Sequence, residues 1–580
     1  AYEELTRDEK DQGCFDKLYG TDIKFGTSGV RELIKCGFSS INHAVIFVIT
    51  KGIKKFLEDN CSDNLEKNGV IIGYDGRKYS KEFAELVACT FAAEGVKNIR
   101  LFSKVVPTPT LAYSANHFEC ALGVMITASH NSKEYNGYKV YDSRGCFITP
   151  PLDGKMLESI LSYLRNCKKT DSKNVAELLS KFPKFEDPYE LIFKKFLDDI
   201  ITQCSLLGPK GEKSSVGICY SAMHGCGNEF VTKIMNLCNF TKFVSVKEQA
   251  EPDEKFSTVA DPNPEVGWNT FKLACETADK NNAKVVLIND PDADRLGMAE
   301  KIDNEWMIYS GNQMSMVLLD WLLKEKYSKC ASKCAVAYST VSTNFPMTLE
   351  RIYNFKRYET LTGFKFLGEC MRESETKGIK PILSFEESLG FLVGTHVYDK
   401  DGVSAALLFS ELAESCYKDG KTVYSYWIEL MNKYGYHMSY NKYYKLENMD
   451  VLQKIFDSIR YSNCKNGDKS LDLENYPKKL GGKYDVVGVR DLAIGFDTTK
   501  SDKRPILPVS KSNHMITFYT AQNLTLTIRG SGTEPKLKFY LGQVFDVNYQ
   551  VNDPNKLIEK MREDSILILD ELLQPKEFGL

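Results

Sequence analysis

The sequence predicts an α/β protein of several domains, and three observations predict it. Its 580 residues exceed several-fold the roughly 100–200 that one domain holds. Short apolar runs alternate with longer helical patterns, the texture of β-α-β units and of a mixed or parallel sheet. That texture lapses at polar, glycine-bearing stretches and then resumes, with no fixed-period repeat beneath it.

In the first third, Val70–Tyr74, Ile99–Phe102 and Ala121–Thr127 read as strands, and Phe83–Ala93 as a helix between two of them. Similar apolar runs return at Val216–Tyr220, Phe243–Val246 and Val285–Ile288, and again at Ala335–Ser339 and Ile382–Phe385. Gly208-Pro-Lys-Gly-Glu-Lys-Ser214 has linker composition; further breaks fall near Ser310-Gly-Asn312 and near Tyr434–Asn441. These breaks give domains of 1–208, 209–311, 312–436 and 437–580. The stretch from about Asn463 to Ser512, rich in Lys, Asp, Gly and Ser, is expected to be mostly surface loop with a strand at Tyr484–Val489.

Composition narrows the function classes. Hydrophobic content of 43% and charged content of 26% are those of an ordinary soluble globular protein. Lys+Arg 75 against Asp+Glu 78 leaves a net charge of −3, so no global field draws nucleic acid or an anionic membrane, and an anionic substrate must find its cations locally. Seventeen cysteines are scattered without a C-x-x-C, which argues against a zinc site or disulfide framework and for reduced thiols in a cytoplasmic protein. The first ten residues are charged and lack the apolar core of a signal peptide. No apolar stretch approaches the ~20 residues of a membrane span.

Four strand-like runs end in reactive-looking residues, and in open α/β sheets ligands sit at the carboxyl ends of strands. Ala121–Thr127 runs into Ser129-His130-Asn-Ser-Lys-Glu-Tyr-Asn-Gly137-Tyr-Lys139, which makes Ser129 a candidate nucleophile or phosphoryl carrier. Lys284–Asn289 runs into Asp290-Pro-Asp292-Ala-Asp294-Arg295. Carboxylates at alternate positions can converge on a hard cation such as Mg²⁺. An EF-hand is excluded, because its sixth position is Arg295 and its twelfth Lys301. The alternative is a solvated acidic turn.

Lys380–Phe385 runs into Glu386-Glu387-Ser388-Leu-Gly390, whose carboxylates and hydroxyl suit sugar hydroxyls; the alternative is a capped helix start. Leu524–Ile528 alternates as a half-buried strand and leads into Arg529-Gly-Ser531-Gly532-Thr533-Glu-Pro535-Lys-Leu-Lys538. Backbone N–H groups in such a turn form an anion nest, and Arg529 adds a planar fork for phosphate, although an ordinary hairpin turn fits the Ser-Gly pair equally. Phe25-Gly-Thr-Ser-Gly29-Val-Arg31 adds another loop with hydroxyls and an arginine. No P-loop is present, and Gly225-Cys-Gly227-Asn-Glu-Phe230 lacks the third small residue of a dinucleotide fingerprint.

These four motifs, in this order, resemble those of the α-D-phosphohexomutase superfamily, over roughly residues 20 to 545. Asn136-Gly137-Tyr-Lys139 and Met223-His224-Gly225 look most like the branch that holds phosphoglucomutase-2, phosphopentomutase and glucose 1,6-bisphosphate synthases. Two departures stand out: Ser132 where the family usually has proline, and Lys538 where many members have arginine.

The resemblance implies three related α/β domains and a smaller C-terminal α+β domain around a central cleft. It implies an intramolecular phosphotransferase acting on small sugar phosphates, with phosphorylated Ser129 at rest and Mg²⁺ held by Ser129, Asp290, Asp292 and Asp294. Glucose 1,6-bisphosphate would be the intermediate and activator. His130 and Lys139 are unranked candidates for proton transfer, and Arg31, Arg295 and Lys400 would neutralise the moving phosphoryl group. Arg295 could instead serve as a salt bridge holding the Asp loop, and Lys400 as a solvated lysine. Thr362, Gly363, Glu386 and Ser388 would hold the sugar; Arg529, Ser531, Gly532, Thr533 and Lys538 would hold its phosphate. The expected activity is phosphoglucomutase, with phosphopentomutase or a hexose bisphosphate synthase as the alternative. A serine phosphatase or a non-catalytic relative are the readings from other classes.

Overall fold

The computed structural model describes residues 29–166, 178–179, 183–208, 214–447, 449–464, 472–510, 514–530, 536–549 and 554–573. The chain forms two compact units. The first runs to Tyr338 and includes Phe355–Tyr358 and Gly363–Tyr424; the second holds Ser339–Asn354, Glu359–Thr362 and Ser425–Leu580.

Three sheets organise the first unit. The elements of the first are β1 (Val30–Leu33), α1 (His43–Asn68), β2 (Val70–Tyr74), α2 (Ser80–Ala93), β3 (Ile99–Leu101), α3 (Thr108–His117), β4 (Leu122–Ile126) and β5 (Tyr135–Tyr141). Helices α4 (Leu152–Asn166) and α5 (Tyr189–Gln203) come next along the chain. Strand order is β1-β5-β4-β2-β3, with β2 parallel to β3 and β4, and β5 antiparallel to β4 and β1. β2 and β4 are buried along their whole length, which is why they read as unbroken apolar runs rather than alternating ones. Ile72, Val124 and Ile126 pack with Val87, Phe91 and Ile49 in the core of this sheet and its helices.

The second sheet holds β6 (Ile218–Ser221), α6 (Asn228–Leu237), β7 (Phe243–Ser245), α7 (Trp268–Lys280), β8 (Val285–Asn289), β9 (Leu296–Ile302) and β10 (Glu305–Ile308), in the order β10-β9-β8-β6-β7. Here too the two parallel pairings surround one strand, β6, and the strand after β8 returns antiparallel. The third comprises α8 (Gly311–Leu322), β11 (Cys334–Ser339), β12 (Lys356–Thr360), α10 (Phe364–Thr376), β13 (Lys380–Glu386) and β14 (Gly390–Leu392), ordered β12-β11-β13-β14, while α9 (Phe345–Tyr353), between β11 and β12 in the chain, belongs to the second unit. β11 and β13 are parallel and β14 returns antiparallel.

One plan therefore recurs without a sequence repeat. In each sheet a buried strand of a parallel pair (β4, β8, β13) ends in a motif loop, and the next strand comes back beside it as a hairpin arm. This corrects the helix-start alternative for Glu386-Glu387-Ser388: these residues close the β13–β14 hairpin, with Leu389 at φ 66° and Glu386 opposite Gly390.

The predicted break at Ser310 is the start of α8, where Ser310 and Gln313 form a reciprocal capping box. Residues 209–213 of the predicted linker lie outside the described residues, but both of its flanks are pinned by α11 (Gly402–Lys418). Buried Glu411 accepts the Ser205 hydroxyl and the Leu206 N–H, and Glu414 accepts the Ser215 and Val216 N–H groups.

The second unit is built on an antiparallel sheet. After α12 (Val423–Tyr434) come β15 (Tyr436–Lys445), α13 (Met449–Arg460), β16 (Lys479–Leu480), β17 (Tyr484–Asp491), β18 (Phe496–Asp497), β19 (Met515–Thr520), β20 (Leu524–Gly530), β21 (Lys536–Phe545) and α14 (Asn555–Leu573). Sheet order is β15-β21-β20-β19-β17-β16, with β18 on β17. The stretch expected to be mostly loop from Asn463 to Ser512 contributes three of these strands. Gly530 ends β20 with Leu452 of α13 packed where a side chain would be: a Cβ there would lie 2.5 Å from Leu452 Cδ2.

Among the described residues every cysteine is a free thiol, most of them buried. Among the same residues no helix is long and apolar enough to cross a membrane.

Candidate active site

The geometry is built from the ends of β2, β4 and β8. Ser129 lies just past β4 in a left-handed conformation, φ 54°, which costs a non-glycine residue roughly 1–2 kcal/mol. Local hydrogen bonds hold it there. Its N–H donates to Thr127 Oγ1 at 2.8 Å, and Thr127 Oγ1 donates to Asp75 Oδ2 at 2.6 Å. The Ser129 hydroxyl donates to Asp290 Oδ2 at 3.0 Å and lies 3.3 Å from His130 Nδ1. Ser129 is 1% exposed.

Asp290, Asp292 and Asp294 are fully buried after β8, each with an oxygen within 4.8 Å of the others. Asp290 Oδ1 accepts the N–H groups of Asp294 at 3.2 Å and Arg295 at 3.0 Å. Asp292 Oδ2 accepts Lys139 Nζ at 2.7 Å and Thr108 Oγ1 at 2.6 Å. Asp294 Oδ2 accepts Lys139 Nζ at 2.9 Å and pairs with Lys400 Nζ at 2.9 Å. Asp292 Oδ1 and Asp294 Oδ1 are buried and bonded to nothing. Two orphaned carboxylate oxygens beside a third carboxylate fit a hard, oxygen-seeking cation, which would relieve their desolvation.

Charge is divided unevenly over this cluster. Burial, then Asp294 and Asp292, push the Asp290 carboxyl well above its ordinary range. Burial opposes ionisation of Asp292 and Asp294 too, but Lys139 in both cases, with Lys400 and Arg295 beside Asp294, holds them below the ordinary carboxylate range. The trio is neither exposed nor a solvated turn.

Lys139 lies on β5 and is wholly buried between Asp292 and Asp294. Lys400 is 7% exposed, which overturns the solvated-lysine alternative, and its charged form is favoured by Asp294 and Asp399 against the cost of burial. Arg295 Nη1 bonds Glu265 at 2.7 Å, the salt-bridge alternative, while its Nε is buried without a hydrogen bond. Arg31 sits on β1 opposite Gly137, where a Cβ would lie 2.4 Å from Val30 O, 2.5 Å from Thr127 O and 3.2 Å from the arginine stem.

Glu386 is 8% exposed and accepts the Gly363 N–H at 2.6 Å; burial and Glu387 push its carboxyl up to about 7. Ser388 is half-buried in the same hairpin turn. The turn is stitched to the Asp loop, because Leu296 N–H donates to Leu389 O at 3.0 Å. Gly402 N–H donates to Ala293 O at 3.1 Å, tying the segment that carries Lys400 to that loop as well.

Thr362, Arg529 and Lys538 belong to the second unit. Arg529 on β20 and Lys538 on β21 are directly opposite one another, and Arg529 Nε is buried without a hydrogen bond. Ser531, Gly532 and Thr533 lie outside the described residues.

Sequence reasoning missed Asp75, Arg77, Thr108 and Asp399, which support the cluster from behind. Asp75-Gly-Arg77 was signalled by the same strand-end position that marks Ser129. Gly225 was weighed in a nucleotide fingerprint and in a branch motif, not for packing; its Cβ would lie 2.3 Å from Pro291 O, so it gives clearance for the Asp loop.

Comparison with known proteins identifies the family. Residues 22–165, 194–302 and 310–434 match the families described as phosphoglucomutase/phosphomannomutase alpha/beta/alpha domains I, II and III. The human protein named phosphopentomutase is 34% identical over 576 residues, covering 97% of this chain and 91% of its own. The human protein named glucose 1,6-bisphosphate synthase is 34% identical over 591 residues, covering 100% and 92%. The crystal structure of parafusin, a phosphoglucomutase from Paramecium, shares the fold with TM-score 0.66 at 16% identity over 96% of both chains. The chain belongs to the phosphoglucomutase/phosphomannomutase family, within the α-D-phosphohexomutase superfamily, and is an intramolecular phosphotransferase of its phosphoglucomutase-2-like branch.

Proposed function

We propose that the chain is a phosphopentomutase, interconverting the 1-phosphate and 5-phosphate of ribose or deoxyribose through a phosphorylated Ser129. One observation carries the chemistry: Ser129 Oγ lies 3.0 Å from Asp290, in a buried side-chain cluster with two orphaned carboxylate oxygens. The names of the relatives carry the choice of sugar. Phosphopentomutase and phosphoribomutase among the full-length relatives favour pentose over the glucose 1-phosphate to glucose 6-phosphate reaction expected from the motifs alone.

In this reading Asp290, Asp292, Asp294 and the phosphoserine would hold Mg²⁺, which would supply charge neutralisation to the phosphoryl group. Arg529 and Lys538, with Ser531, Gly532 and Thr533, receive the substrate's own phosphate. Glu386, Ser388, Thr362 and Gly363 receive the sugar hydroxyls. The free sugar hydroxyl attacks phosphorus, its oxygen–phosphorus bond forming as the bond to Ser129 Oγ breaks. Its proton passes to a base, and the serine oxygen takes one up. His130, 3.3 Å from Ser129 Oγ, suits that exchange. Lys139, saturated by Asp292, Asp294 and Thr108, suits a fixed counter-charge. Arg31, Arg295 and Lys400 offset charge on the moving group. The bisphosphorylated sugar then reorients and returns its other phosphate to Ser129. Glucose 1,6-bisphosphate would load the serine initially.

A second reading has equal identity behind it: synthesis and release of glucose 1,6-bisphosphate. A substrate panel separates the two. Ribose 1-phosphate converted to ribose 5-phosphate faster than glucose 1-phosphate to glucose 6-phosphate supports the first. Accumulation of glucose 1,6-bisphosphate from a phosphoryl donor and glucose 1-phosphate supports the second. Release of mostly free phosphate would refute both in favour of a serine phosphatase.

A further inference from the structure

Arg77 stands just beyond β2, 4% exposed, and grips the loop that carries Ser129. Its Nη2 donates to the carbonyl oxygens of Ser129 and Asn131, and its Nη1 to those of Ser132 at 2.8 Å and Tyr135 at 3.2 Å. Its Nε faces Asp75 Oδ2 at 3.2 Å. Asp75 is itself fixed, accepting the Arg77 N–H at 3.0 Å and the Ser80 hydroxyl at 2.7 Å. Through Thr127 the same carboxylate reaches the Ser129 N–H. Phe256, its ring 5.0 Å from the guanidinium carbon, covers the arginine.

Both sides of the Ser129 backbone therefore end on one buried ion pair. The left-handed conformation of Ser129 is not one that the residue would choose alone. A planar fork can serve several converging carbonyls from one rigid group, which a lysine cannot. Each carbonyl drawn toward Arg77 sends the N–H of the same trans peptide the opposite way, so the guanidinium also sets the direction of the loop's amide dipoles. The carbonyl of Ser132 is among those held.

We infer that Arg77 is a positioning residue for phosphoryl transfer: it holds the loop so that Ser129 Oγ faces the Asp290 cluster, without touching the reacting atoms. The inference rests on the mutase reading for its kinetic test but has a structural test that does not.

The structural test is hydrogen exchange of the loop amides over residues 128–136 in the full-length chain. Arg77→Met is expected to exchange faster there while the amides of β2, β4 and β8 keep their protection; an unchanged loop overturns the inference whether or not the wild type is a mutase. For the kinetic test with ribose 1-phosphate, Arg77→Met and Arg77→Lys are expected to lower kcat about 100-fold and leave KM within about threefold. A kcat within about threefold of wild type overturns it.

A cavity of about 580 Å³ lined by Asp75, Gly76, Arg77 and Lys78 offers a route to the ion pair from outside. Guanidinium ion added to Arg77→Ala is therefore expected to recover about tenfold in kcat, and no recovery in a folded Arg77→Ala counts against the inference. Should none of the Arg77 variants fold, Asp75→Asn decides: faster loop exchange and reduced kcat at unchanged KM support it, and wild-type behaviour overturns it. A wild type inactive toward every sugar phosphate but showing the exchange difference would refute the mutase reading alone.

Discussion

Lys139 and Asp292 form a fully buried ion pair, 2.7 Å from Nζ to Oδ2, and the same ammonium reaches Asp294 at 2.9 Å. Both carboxylates are held ionised by this ammonium against the cost of their burial. Breaking such a pair costs about 3–5 kcal/mol, because the survivors are left uncompensated.

Replacing Lys139 with Met should therefore make stability depend on a divalent cation. Without metal, the variant is expected to unfold at least about 3 kcal/mol more easily than wild type. Added Mg²⁺ should recover most of that loss, since it would compensate the same carboxylates. Denaturant titration with and without Mg²⁺ measures this; a loss that Mg²⁺ does not reduce would separate the Asp trio from metal binding.

Glu386 gives a pH dependence with a definite sign. Its carboxyl is raised to about 7 by burial and by Glu387. The folded state thus keeps a proton that the unfolded chain releases above roughly 4.3, so stability falls as pH rises from there to about 7 and is level beyond. The span corresponds to about 4 kcal/mol. Sugar hydroxyls bind better to the ionised carboxylate, so kcat/KM should climb through the same region and reach a plateau above it. Glu386→Gln should remove the stability slope. It should also leave kcat/KM with only the inflection that belongs to the substrate phosphate.

The features legible in the sequence are those written locally. Ser129, Asp290 and Glu386 could be read because a buried strand of four to seven apolar residues has to end, and the loop at its end is short and polar. The support behind them was not legible. Thr108 meets Asp292, and Tyr141 meets Asp399, across separations that no local pattern encodes. Glu386-Glu387-Ser388 carries the residue types of a helix start, and only the antiparallel pairing of Phe385 with Phe391 decides for a hairpin. β17 was read two residues short because its last residues, Arg490 and Asp491, are charged although they are buried in the strand.

Gly402 should tolerate no side chain. A Cβ there would lie 2.6 Å from Arg295 O and 2.7 Å from Ala293 O, backbone atoms that cannot turn aside. Gly402→Ala must push the segment bearing Lys400 away from the Asp loop. The expected costs are about 1–3 kcal/mol of stability and about 100-fold in kcat. Thermal melting and steady-state kinetics check the two together; full activity would mean that the contact between Gly402 and Ala293 is not needed for turnover.

Arg529 and Lys538 set stability against binding in the opposite sense. Like charges directly opposite on neighbouring strands repel, at roughly 0.2–1 kcal/mol, yet this pair faces across β20 and β21, the strands that precede and follow residues 531–535 in the chain. An arrangement that weakens the sheet is understandable if an anion relieves it. Lys538→Met should then raise the melting temperature of the ligand-free protein slightly while raising KM for the sugar phosphate about tenfold or more at little change in kcat. Inorganic phosphate should stabilise the wild type more than this variant, because binding to the folded state alone adds to its stability. A variant that melts lower than wild type, or that phosphate stabilises equally, would show that the pair is held by some other acceptor and that the hairpin is not the seat of the substrate's phosphate.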